Sequence, residues 1–168
     1  MIRLACNDDC YNLAALSTYV WLETYAKEGI RSAHSQYVLS HFTPVQYQQL
    51  LRSKNHRVIA VTTEQNVIGL SVVNLTSFWH DPAYGYEIER LYIHPDARRS
   101  GLGRAVFDYI KSQFGDRFWL YTWDKNESNA FYQHLGFSKV GEHQFHFDDQ
   151  VVNNNVFAYA SRGDGHDN

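Results

Sequence analysis

The 168-residue sequence predicts a single α/β domain, with a mixed and mostly antiparallel sheet of six to seven strands carrying helices on both faces. Three observations lead there. The length suits one domain, and a chain of this size buries roughly 70% of its unfolded surface without disulfides or metal. The apolar spacing alternates between helical and strand periods, in the order β-α-α-β-β-β-α-β-α-β-β. Hairpin spacing comes first and strand–helix–strand units follow, which requires antiparallel and parallel neighbours in one sheet.

Residues 1–5 read as a short strand. A helix follows over 7–27, with Asp8 and Asp9 at its positive end and Leu13, Leu16, Val20 and Tyr25 as its apolar stripe. Residues 28–42 are rich in Ser, His and Tyr and read as irregular. Thr43 is an N-cap with Pro44 at the first helical position, so a helix runs to about 53. Residues 57–63 and 67–75 are β-rich runs joined at hairpin spacing by 64–66. A loop over 77–84 leads to a strand over 86–94. Residues 101–114 form a helix with Ala105, Val106, Tyr109 and Ile110 on its apolar face. A strand at 118–123, a short helix at 128–135 and strands at 137–143 and 155–160 complete the domain, drawn at 1–160. The polar tail 161–168 is expected to be disordered.

Composition excludes some functions. Net charge is −3 and no basic tract exists, which disfavours a nucleic-acid partner. The acidic balance is compatible with a cationic substrate. Residues 1–20 lack a signal-peptide pattern, and no window approaches the roughly 18 apolar residues of a membrane span. A cytoplasmic protein with no membrane partner is expected. Cys6 and Cys10 read as buried thiols in a reducing compartment. His143 and His146 lack the accompanying ligands of a metal site, so no metal is expected.

The chemistry concentrates where the strand 86–94 meets the helix 101–114. The linking segment holds Pro95, Arg98, Arg99, Ser100, Gly101, Leu102, Gly103 and Arg104. The first N–H groups of a helix have no intrahelical acceptor, so such a turn attracts anions. Glycines admit a phosphate to the backbone, and the arginines add positive charge. The turn is neither a P-loop, which needs Lys-Ser/Thr after its last glycine, nor a dinucleotide fingerprint, since Val106 stands at the third glycine.

Arg98-Arg99-Ser100-Gly101-Leu102-Gly103 resembles the R/Q-x-x-G-x-G/A motif of the GNAT acetyltransferase superfamily. A second segment, Asn126 to Phe137, resembles that family's N-x-x-A-x-x-F-Y-x-x-x-G-F pattern, with the interval from Asn126 to Phe131 one residue shorter. The resemblance implies the GNAT fold, acetyl-CoA as cosubstrate and acetyl transfer to a primary amine. It implies that backbone amides at Arg98–Arg104 bind the pyrophosphate, that Leu91, Tyr92 and Ile93 pair with the pantetheine arm, and that an N–H near Leu91 or Tyr92 polarises the thioester carbonyl. It also implies that Asn126 contacts the pantetheine arm and that Tyr132 protonates the departing thiolate. Within the superfamily, 87–92 and 123–127 look most like bacterial polyamine (spermidine/spermine) acetyltransferases.

Simple strand alternation puts Glu87, Glu89, Leu91 and Ile93 on one face, so Glu87 and Glu89 are candidate bases, directly or through a water. Glu89 is slightly preferred because it lies nearer Leu91; the other reading is that either glutamate pairs structurally with Arg90 or a neighbouring strand. The resemblance implies that the region holding Trp21, Tyr25, Tyr37 and Phe42 forms one wall of the acceptor cleft, where aromatic faces hold cationic amines; the other reading is that these residues are core. Trp119, Tyr121 and Trp123 alternate on one strand face and read as core. The expected partner is a small-molecule amine, and edge aromatics are compatible with a homodimer. Two other readings stand: acetylation of a protein N-terminus or lysine, and a non-catalytic module that binds acyl-CoA.

Overall fold

The computed structural model describes residues 1–160, so the expectation of disorder for 161–168 lies outside the described residues. The strands are β1 (Ile2–Leu4), β2 (His56–Thr62), β3 (Val67–Asn74), β4 (Tyr86–Ile93), β5 (Arg117–Trp123), β6 (Ser138–Phe147) and β7 (Gln150–Ala160). The helices are α1 (Cys10–Tyr25), α2 (Ser32–His41), α3 (Pro44–Arg52), α4 (Leu102–Phe114) and α5 (Ser128–His134). One seven-stranded sheet runs β1-β2-β3-β4-β5-β7-β6. Every neighbouring pair is antiparallel except β4 and β5. The mixed α/β architecture predicted above is therefore the one found.

Alternation along β2 and β3 sorts the core into two layers. Val58, Ala60, Leu70 and Val72 face α1 and α3, where Leu13, Leu16, Val20 and Tyr47 are buried with them. Ile59, Val61 and Val73 face the other way, against Val106, Phe107 and Ile110 of α4 and Tyr132 of α5. Thr43 caps α3 by accepting from Gln46 N at 3.1 Å, as its position before Pro44 requires.

The first strand is tied to α1 through one ion pair. Arg3 donates to both carboxylate oxygens of Asp9 at 2.7 and 2.9 Å, and Cys6 N donates to the same group at 2.8 Å. These donors, Arg3 foremost, hold the Asp9 pKa down to about 2. A depressed carboxylate pKa contributes stability above its unfolded value and loses it as pH falls through the folded value. Asp9→Asn is expected to destabilise the fold by about 2 kcal/mol at neutral pH. In urea titrations the gap to the native chain should narrow below about pH 4 and close toward pH 2.

Four features depart from the sequence reading. Residues 28–42, expected to be irregular, contain α2. This helix has almost no apolar stripe; it buries His34 and Val38, and with Phe42 it packs on Trp21. The last two strands are longer than expected and meet at Asp148-Asp149, both at positive φ (51° and 59°). Such a two-residue reversal is normally marked by Asn or Gly, so aspartates conceal it. Cys10 is buried but Cys6 is exposed, and both are free. Finally, β4 carries a bulge: Val72 pairs with Arg90 but Val73 pairs with Ile88, leaving Glu89 as the extra residue. The expected common face of Glu87, Glu89, Leu91 and Ile93 is broken there. Ile88 and Leu91 pack in the α4 layer, while Arg90 and Tyr92 lie against the helices of the α1 side.

Candidate active site

Two parallel strands part at the centre of the sheet. β4 and β5 pair only at Tyr86–Phe118 and Glu87–Trp119, although they run on to Ile93 and Trp123. Their closed end is pinned by Gly85, at φ 81°, where a Cβ would sit 1.8 Å from the Arg117 carbonyl oxygen. Beyond Glu87 the β5-facing edge of β4 has no strand partner. Backbone groups there are open to an extended ligand, in the crevice at the carboxyl ends of parallel strands. Leu91, Tyr92 and Ile93 all lie along this open stretch.

The turn into α4 borders the same opening. Gly101 is its N-cap at φ 83°, a conformation that glycine adopts without Cβ strain. No side chain caps the helix, and the bond from Ala105 N to the Gly101 carbonyl oxygen is the first of its ladder. The N–H groups of Leu102, Gly103 and Arg104 therefore have no intrahelical acceptor. Ser100 Oγ does not fill this gap, since it donates to the Ala97 carbonyl at 2.6 Å. Gly103 has a packing reason instead: a Cβ there would lie 2.8 Å from the Phe131 ring of α5. Arg98 is committed elsewhere. It forks onto Glu23 of α1 at 3.2 and 2.9 Å, and its Nε donates to the Ile93 carbonyl, so it fastens the turn to α1. Arg99 and Arg104 are exposed beside the turn.

Two ionisable groups flank the split from opposite faces. On the α1 side, Glu87 is buried (7% exposed) and accepts from Ser77 Oγ at 2.7 Å. Burial pushes its pKa up, the Ser77 hydroxyl pulls it down, and the nearby Glu89 charge pushes it up again. Glu89 is exposed and engaged: it accepts from Asn74 Nδ2 at 2.8 Å and faces His56 Nε2 at 3.4 Å. On the α4 side, Tyr132 is buried among Phe107, Phe131, Phe137 and Phe157. Burial raises its phenol to about 12, although the Ser128 hydroxyl favours the charged form. The Tyr132 phenol therefore keeps its proton near neutral pH.

The four aromatics expected in the acceptor cleft do lie together. The Trp21 ring stacks on Tyr37 at 4.8 Å and tilts against Tyr25 at 4.8 Å, while Phe42 meets Tyr92 edge-on at 6.1 Å. Trp21 and Phe42 are themselves buried, so Tyr25 and Tyr37 present the surface. Sequence reasoning missed the facing wall. Phe147, at the end of β6, packs on Trp21, His34 and Tyr37, and Asp148 pairs with Arg31 at 2.7 Å. Tyr121 was expected in the core with Trp119 and Trp123; Trp119 is buried there, but Tyr121 is 42% exposed, with its ring against Trp119, His143 and Phe145. Asn126 Oδ1 accepts from Ser128 N and Oγ at 3.0 and 2.9 Å, which anchors the first turn of α5. His143 packs against Trp79, Tyr121 and Phe145.

A sheet split between parallel strands thus leaves an open backbone edge of β4 beside an uncapped, glycine-led helix start. The chain belongs to the GNAT acetyltransferase domain family, whose pattern matches residues 54–139. Solved structures share the fold over nearly the whole chain. The paia N-acetyltransferase of Thermoplasma acidophilum, in complex with coenzyme A, superposes with a TM-score of 0.71 at 17% identity, covering 95% of this chain and 98% of that one. An N-acetyltransferase of Staphylococcus aureus Mu50 gives 0.68 at 13% identity, covering 95% and 96%. In sequence, the chain is 32% identical over 66 residues to an uncharacterized N-acetyltransferase in the pepI 3′ region of Lactobacillus delbrueckii subsp. lactis. That segment spans 36% of this chain and 38% of the relative. Among the described residues, no helix is long and apolar enough to cross a membrane.

Proposed function

We propose that the protein is an acetyl-CoA-dependent N-acetyltransferase acting directly on a primary amine. The observation that carries this reading is the parting of β4 and β5 beside the uncapped start of α4. The residues present fit coenzyme A. The open edge at Leu91–Ile93 suits an amide-rich arm, and the N–H groups of Leu102, Gly103 and Arg104, with Arg99, suit a pyrophosphate. Ser100 and Arg98 act by shaping the turn, and Asn126 by shaping the start of α5. Acetyl-CoA supplies an activated acyl group; the protein supplies position and proton transfer.

Glu87 takes the proton of the attacking amine, directly or through a water, because its raised pKa makes it a stronger base than an ordinary surface carboxylate. Glu89 is the weaker candidate, since Asn74 and His56 already occupy its carboxylate. Tyr132 donates a proton to the leaving sulfur. A backbone N–H on the open edge of β4 polarises the thioester carbonyl. A free amine reaches this chemistry between Tyr25, Tyr37 and Tyr121. Spermidine and spermine are acceptors that the polyamine resemblance nominates, and the carboxylates beside aromatic walls favour a cation.

The reading is tested by incubating the protein with acetyl-CoA and a panel of polyamines, amino acids, aminoglycosides and peptides while following free-thiol release. Release that depends on an amine supports it. Tight acetyl-CoA binding without release across the panel would instead favour a non-catalytic module or a protein acceptor. Ser77→Ala probes the base separately. The Ser77 hydroxyl stabilises the ionised form of Glu87, so its loss should raise the Glu87 pKa further. The acid limb of the kcat/KM profile should then move to higher pH. A limb that stays in place would show that Glu87 is not the titrating group.

A further inference from the structure

Arg90 is a partly buried guanidinium on the acceptor side of the sheet, and it is held by aromatic groups. Its Nη1 donates to Tyr47 Oη at 3.2 Å, and the group lies 5.0 Å over the Phe42 ring and 5.6 Å over the Tyr47 ring. Tyr47 is fully buried and its hydroxyl is also bonded to Ser17 Oγ. Among the described residues, no Asp or Glu carboxylate lies within 4.0 Å of Arg90. A guanidinium withdrawn from water usually has an anion, because desolvating a lone charge is costly. Aromatic faces and one phenol compensate only in part.

The fold sets this group on the same side of the sheet as Glu87. The bulge at Glu89 turns Arg90 to the α1 side, which an unbroken strand would deny it if Glu87 were there too. Glu87 and Arg90 thus share a face, roughly 10 Å apart by strand rise before their side chains converge. Phe42, which Arg90 covers, meets Tyr37 edge-on at 5.8 Å, so Arg90 stands against the aromatic wall of the acceptor cleft. This face of β4 therefore carries the Glu87 carboxylate and, three residues on, the Arg90 guanidinium fork.

Resting on the acetyl-transfer reading above, we propose that the acceptor is an amino acid, an amine that also carries a carboxylate, which Arg90 anchors while Glu87 faces the amine. A guanidinium fork matches a planar carboxylate in two parallel hydrogen bonds, which a purely cationic polyamine cannot use.

Matched pairs test this: tyrosine against tyramine, tryptophan against tryptamine, and ornithine against putrescine. Binding of each to the protein saturated with coenzyme A is measured by calorimetry, and thiol release from acetyl-CoA is followed in parallel. In at least one pair, the carboxylated member should bind at least about tenfold more tightly. Arg90→Gln should erase that preference and Arg90→Lys should restore part of it, with coenzyme A affinity retained as the check on folding. Decarboxylated members that bind native protein as well or better would overturn the inference. Arg90→Gln weakening both members equally, or no measurable binding of any carboxylated member, would overturn it too. Carboxylate-selective binding without thiol release would support the Arg90 anchor and overturn the acetyl-transfer reading instead.

Discussion

Glu87→Gln is expected to lower kcat/KM for the amine acceptor by about 10²–10⁴-fold, the range lost when a general base is removed. Glutamine keeps the shape of the side chain and can still accept from Ser77, so the local packing around this 7%-exposed residue should survive. What it cannot do is take a proton. Acetyl-CoA affinity should stay near the native value, because Glu87 belongs to the last paired position of β4 and β5, below the open edge. Glu89→Gln is the comparison. Its carboxylate is exposed and already serves Asn74 and His56, so a loss of only a few-fold is expected. Steady-state kinetics on both variants decides between the two. If Glu89→Gln is the more damaging, the base lies on the bulge and the assignment to Glu87 is wrong. If neither matters, proton removal is carried by a group other than these two.

This preference reverses the order that sequence alone suggests, for a physical reason. Alternation assumes one residue per pleat, and on that count the glutamates share a face with Leu91. The bulge inserts Glu89 between Ile88 and Arg90, which changes the neighbours of every later residue in β4. Nothing in Glu-Ile-Glu-Arg announces a bulge, because its cause is the pairing with β3. Other parts were legible. The β2–β3 hairpin, the capped start of α3 and the glycine-led start of α4 depend on local chemistry, and each was readable from a few residues. The parting of β4 from β5 was not, since it is a relation between strands separated by a whole helix. The hairpin wall carrying Phe147 was hidden as well. Residues 138–147 are mostly exposed on an edge strand, so they show little of the apolar alternation that marks a half-buried strand. The aromatic cluster of Trp21, Tyr25, Tyr37 and Phe42 was nominated by the family resemblance, which could not say that Trp21 and Phe42 form the buried backing and the tyrosines the surface.

Gly101→Glu is expected to weaken acetyl-CoA binding by about 10- to 100-fold, as the sum of repulsion between the new carboxylate and the pyrophosphate and its competition for the charge-assisted backbone hydrogen bonds of the helix N-terminus. The position is suitable because a Cβ at Gly101 meets nothing within 4 Å, so the side chain itself is accommodated. The backbone is a separate matter. At φ 83°, any residue with a Cβ is strained, by roughly 1 kcal/mol. Gly101→Lys carries the same strain with the opposite charge, and it isolates the electrostatic part. Calorimetric titration of coenzyme A into both variants should give a clearly weaker complex for glutamate than for lysine. The gap should shrink as salt rises from 0.05 to about 0.5 M, because screening at an exposed helix end is effective at that ionic strength. Dephosphorylated pantetheine supplies the complementary arm of the test. It lacks the pyrophosphate but keeps the amide arm, so the two variants should bind it equally. Equal losses for glutamate and lysine with coenzyme A would mean that turn geometry, and not the exposed N–H groups of Leu102, Gly103 and Arg104, governs the affinity of this end of the cleft.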